Sequence, residues 1–141
     1  MRDALNTFFD GTVAQATPEK STVRKVSYAE GIDGVQNMGP VDIGNGLNGD
    51  AYLAVGVKFG TFIPGDGTHA TVTVGWFTAD TDVDVVVAGK PIGTGILELD
   101  DGQHGRLPVP PGVGNYLGLQ ISVGNGTNGQ TVDVYAGIEG F

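Results

Sequence analysis

YLGLQISVGNGTNGQTVDVYAGI, residues 116–138, decides the fold. Its first eight residues alternate, with Leu117, Leu119, Ile121 and Val123 on one face. Its last eight alternate again, with Val132, Val134, Ala136 and Ile138 on one face and Asp133, Tyr135 and then Glu139 opposite. Alternation of this kind gives each strand one buried and one solvated face, which is the habit of antiparallel sheets. Between the two runs lies GNGTNG (124–129). It matches the GxGxxG pattern of dinucleotide sites, but that chemistry needs a helix N-terminus after the glycines to hold a pyrophosphate. Here a strand follows. The Asn-Gly steps supply the positive φ that tight turns demand, so the segment reads as a turn. GNGLNG (44–49) reads the same way.

Further strands are expected upstream. AYLAVGVKF (51–59) places Leu53, Val55, Val57 and Phe59 on one face and Tyr52, Ala54, Gly56 and Lys58 on the other. PGDG (64–67) is a turn. TVTVGWF (71–77) alternates with Val72, Val74 and Trp76 together, which places Trp76 in the core. TVRKVSY (22–28), the Val83, Val85 and Val87 alternation, ILEL (96–99) and Arg106 to Val109 complete the set. Residues 29–50 read as a long loop. About eight short strands without a convincing helix predict an all-β antiparallel sandwich of jelly-roll type. An immunoglobulin-like sandwich is the alternative, but its Cys and Trp landmarks are absent.

The 25 glycines of this 141-residue chain alternate with Val, Ile, Leu and Thr runs, so they punctuate strands rather than mark low complexity. The length fits one domain, expected over 22–141, preceded by an extended N-terminal arm at 1–21. In that arm Leu5, Phe8 and Phe9 would each cost roughly 1.5–3 kcal/mol to leave in water. They are expected to dock on the body or on a neighbouring subunit.

Charge is unevenly placed. Residues 1–25 carry Arg2, Lys20, Arg24 and Lys25 against three acids; the other 116 carry Lys58, Lys90 and Arg106 against thirteen. A net charge of −9 repels phosphate backbones, which argues against nucleic-acid partners. The cationic start of the chain is a candidate contact for an acidic partner. No apolar run approaches the ~18 residues of a membrane span, and no signal peptide is read at the N-terminus. With no cysteine, disulfides and thiolate metal sites are excluded.

Few groups carry chemistry. Asp80, Asp82 and Asp84 would share one face of an extended strand, where a calcium ion could relieve their repulsion. The competing reading is a solvated acidic loop that discourages edge pairing. The EF-hand pattern fails, because its glycine position falls on Val85 and its last glutamate on Pro91. His69 and His104 sit in glycine-rich, loop-like sequence. Ser21, Ser27 and Ser122 lack a nucleophile-elbow context. Glu98, between Leu97 and Leu99, points outward. Trp76, Tyr52, Tyr116 and Tyr135 are the aromatic set from which a sugar-stacking platform could be built.

The order of these features resembles a known group. DIGNG and AYLAV within 42–55, the P-x-P-PG-x-x-x-YLGL segment at 108–119 and the closing AGI at 136–138 are similar to the cement, or decoration, proteins of short-tailed bacteriophage capsids. Within these, the chain resembles the jelly-roll type first seen on a Bordetella phage. The resemblance implies a homotrimer on the outer capsid surface, made in the host bacterial cytoplasm and bound where major capsid proteins meet. It implies no catalysis and no cofactor. The loops at 29–50 and 60–69, with Arg2, Leu5, Phe8, Phe9, Lys20, Arg24 and Lys25, are the expected contact residues. A carbohydrate-binding sandwich on a phage or bacterial surface is the alternative function.

Overall fold

Alternating apolar residues become strands when two such faces can meet, and here two sheets do so. The structure, a computed structural model, describes residues 7–25, 52–81, 85–110 and 112–139. Its strands are β1 (Thr7–Ala14), β2 (Glu19–Lys20), β3 (Arg24–Lys25), β4 (Tyr52–Phe59), β5 (Ala70–Ala79), β6 (Lys90–Leu99), β7 (His104–Pro108), β8 (Tyr116–Gly124) and β9 (Thr131–Glu139). One helical turn, α1 (Val85–Ala88), precedes β6.

β1, β9, β4 and β7 form one sheet in that order; β2, β8, β5 and β6 form the other, with β3 also pairing β8. Every pairing is antiparallel. The first strand lies beside the last in one sheet, and β2 lies beside the penultimate strand in the other. This is the interleaved order of a jelly roll. β8 and β9 therefore join different sheets, and the GNGTNG turn between them is a corner. Asn125 and Gly129 both take positive φ there (75° and 88°). The Gln15 amide pins the corner: its Nε2 donates to the Gly126 carbonyl, and its Oε1 accepts the Gly126 N–H.

The core is the space between the sheets. Leu53, Val55, Val72, Val74, Leu117, Leu119, Ile121, Val132 and Ala136 are fully buried there, and Trp76 is 2% exposed. Among the described residues Thr78 is the buried polar one; its hydroxyl donates to the Tyr116 carbonyl and accepts the Gly114 N–H, both at 2.7 Å.

Three expectations are corrected. Residues 7–20 are not an arm: β1 is an edge strand of the four-stranded sheet, and Phe8 and Val13 are core residues. A bulge between Thr7 and Phe9 lets Phe8 and Phe9 both reach the core, which hides the alternation in the sequence. Second, Val85–Ala88 is helical rather than extended. The Gly89 N–H closes the turn on the Val85 carbonyl at 2.9 Å, and Val85 is fully buried against the outer face of β8. The space for it exists because position 118 is glycine. Packing here overrides the strand preference of three consecutive valines. Third, ILEL is the end of a ten-residue strand. Pro91 is accepted because β6 lies at the sheet edge, where a missing N–H can face away from the ladder. Of 22–28, Arg24 and Lys25 pair with Tyr116 and Leu117; residues 26–28 lie outside the described residues.

Candidate functional site

The expected contact residues divide. Arg2, Leu5 and the 29–50 loop lie outside the described residues. Phe8 is 1% exposed and so belongs to this chain's core, while Phe9 is half-buried and packs against that core. Lys20, Arg24 and Lys25 follow one another along the β8 edge, opposite Gln120, Leu117 and Tyr116. In the 60–69 loop, Phe62 is buried and stacks edge-on to Phe59 at 5.0 Å, while Ile63 is exposed.

Asp80 follows β5 directly; Asp82 and Asp84 lie outside the described residues. Among the described residues no group of three metal-ligating side chains comes together. Ser21 sits where β2 passes into β3, its hydroxyl accepting the Leu119 N–H at 2.8 Å. Ser122 is on the outer face of β8, opposite Thr73. Ser27 lies outside the described residues. Glu98 is exposed, as its alternation requires.

Of the four candidate aromatics, Trp76 is in the core and Tyr116 is on the five-stranded sheet. Tyr52 and Tyr135 share the outer face of the four-stranded sheet, because their strand neighbours Leu53 and Val134 point inward. That face has a definite layout. Asp10, Tyr135, Gly56 and His104 form one row across all four strands. Thr12, Asp133 and Lys58 form the next row. Gly137, Ala54 and Arg106 form the row on the other side, and Tyr52 and Pro108 the one beyond it.

Side-chain size shapes this face. A Cβ on Gly56 would stand 2.7 Å from His104 Cδ2, so the imidazole leans across the glycine. The two rows around it enclose a trough of about 560 Å³ lined by Asp10, Thr12, Gly56, Lys58, His104, Asp133 and Tyr135. Thr12 Oγ1 donates to Asp133 Oδ1 at 2.8 Å, which orients one wall. Farther along, the Arg106 guanidinium stands 4.7 Å from the Tyr52 ring centroid, a cation–π contact. Every one of these groups is carried by a strand except the edge at Gly102, so the face is held by the ladder itself. Comparison with protein-family models and with curated proteins gives no match for the chain.

A second polar cluster closes one end of the sandwich. Asp66 Oδ1 accepts the backbone N–H groups of Thr68 and His69, both at 2.9 Å. His69 Nδ1 meets Asp100 Oδ1 at 2.5 Å, and the His69 carbonyl accepts from Asn125 Nδ2. The backbone bonds hold the Asp66 carboxyl below its ordinary value. The hydrogen bond to Asp100 raises His69, against a smaller opposing effect of burial. This cluster ties the 64–69 turn to the β6–β7 and β8–β9 corners. No spacing in the sequence joins residues 66, 69, 100 and 125. The outer-face trough was equally unreadable, because Gly56, His104 and Asp10 are far apart in the chain.

Proposed function

We propose that this protein is a structural cement of a bacteriophage head, bound to the outside of the shell at junctions between major capsid proteins. The observation that carries the reading is the strand order. The interleaved sheets are the architecture that the resemblance at 42–55, 108–119 and 136–138 implies. Fold alone does not assign function, so the reading rests on the fold and the resembling segments together.

Two physical features support it. The domain is cross-linked by packing and ladder bonds rather than disulfides, which suits a protein made in a reducing compartment and exposed later. Among the described residues, the corners at 64–69 and 124–129 are held by Gln15, Asp66 and Asn125. Multivalent attachment turns weak contacts into firm ones, as a shell with many equivalent sites requires.

The test is reconstitution. Parent virions produced without this protein should lose their contents at a lower temperature. Adding the purified protein back should restore the original temperature and bring the protein down with the heads on sedimentation. A protein that stays in the supernatant, with virions equally stable in its absence, overturns the proposal.

A further inference from the structure

We propose that the outer face of the four-stranded sheet binds a neutral saccharide, held in the trough formed by Tyr135, His104, Gly56, Asp10, Asp133 and Lys58. The trough's volume, about 560 Å³, is within the ordinary range of small-molecule sites. Tyr135 and His104 supply ring surface in one row, on either side of Gly56, and the missing side chain at Gly56 lets the imidazole lean over the sheet towards Tyr135. Asp10 and Asp133 supply carboxylates that can each accept more than one hydroxyl. Lys58 and Thr12 add further polar groups at the same level.

Ring surface beside several strong acceptors is the requirement of a sugar. A pyranose has apolar C–H faces that stack on aromatic rings and a rim of adjacent hydroxyls that need acceptors at fixed positions. Strand-borne side chains meet the second need, since ladder spacing fixes them without loop ordering on binding. Charge selects among sugars. Two carboxylates in the trough and a net charge of −9 disfavour sulfated, phosphorylated and sialylated glycans. The trough is open, so a single site is weak; several copies on one particle would raise the avidity.

The site is separate from the capsid reading, and its test uses the free protein. In parallel with sialylated and sulfated oligosaccharides, an isotope-labelled sample is titrated with a panel of neutral oligosaccharides of glucose, galactose, mannose and N-acetylglucosamine, each to about 10 mM. At least one should move the amide signals of residues 10–12, 56–58, 104 and 133–135. Tyr135→Ala and Asp133→Asn should each weaken that binding at least about ten-fold, the change expected for a lost stacking or charged contact. Tyr135→Phe, which keeps the ring, guards against simple loss of fold. Thr73→Ala on the opposite sheet should bind as the unaltered protein does. Silence across the panel, signal changes confined to other residues, unaltered binding by Tyr135→Ala, or a preference for acidic glycans overturns the proposal. Any of these leaves capsid binding, read by sedimentation, undisturbed.

Discussion

His69 and Asp66 show how two side chains can set opposite limits on one corner. Asp100 holds His69 above its ordinary 6.5 by a hydrogen bond to the charged imidazole. A raised histidine stabilises the fold fully below the unfolded value, and this is lost as pH rises through the higher folded value. Asp66, held below its ordinary 3.8 by the His69 and Thr68 N–H groups, works the other way. Its contribution is present above the unfolded value and is lost as pH falls through the lowered one. The corner should therefore be firmest between about pH 4 and 6.5. The melting midpoint should be higher near about pH 5.5 than near about pH 8, and His69→Gln should flatten that difference. An identical pH profile for His69→Gln would count against the assignment. Both groups are solvent-accessible, so the effect should also shrink in salt. Packing gives a second residue-scale expectation. Gly118→Ala forces a methyl into the Val85 side chain and should cost about 1–3 kcal/mol by denaturant unfolding. The same alanine in a Val85→Ala background should cost clearly less, because the clash is then gone.

At the scale of elements, β1 carries the sharpest prediction. Removing residues 1–21 strips an edge strand from one sheet and β2 from the other, and takes Phe8 and Val13 out of the core. Loss of Phe8 alone corresponds to about 3–5 kcal/mol, a large part of a typical domain's stability. A chain starting at residue 22 should show no cooperative thermal transition; a normal melt would mean the strand is dispensable. The sequence of β1 reads as an arm because Gly11 and the bulge at Phe8 break the two-residue period. The strands that are legible in the sequence, β4, β5, β8 and β9, each carry at least three large apolar residues on one alternating face. β6 was half-legible for a packing reason. Its Gly95 faces inward because Leu107 fills that space, and Leu97 and Leu99 pack over Gly105 of β7. Side chains supplied by the opposite strand leave no apolar letter in the strand's own sequence. Likewise α1 was hidden by three valines, whose helical turn is decided by the groove over β8.

For the whole molecule the governing quantities are a surface with net charge −9 and the absence of covalent cross-links. The capsid reading carries self-assembly into trimers with it. Copies of an acidic domain repel one another at long range, and the repulsion acts over about 30 Å at 0.01 M salt but only about 8 Å at physiological salt. If such trimers form, the contact between subunits that opposes this repulsion is expected to be short-range packing, which salt leaves largely intact while it screens the opposing charge. The trimer fraction measured by light scattering should rise as salt increases from about 0.01 M to 0.15 M. An association held by ion pairs between the cationic residues Lys20, Arg24 and Lys25 and the acidic body would show the reverse, weakening with salt. Triple replacement of these three by glutamine separates the two cases. Under the packing account it leaves the salt trend unchanged in sign; under the ion-pair account it removes association at low salt. A chain that remains a monomer at every salt and protein concentration would argue against assembly before binding and shift the weight of the cement proposal onto the capsid surface itself.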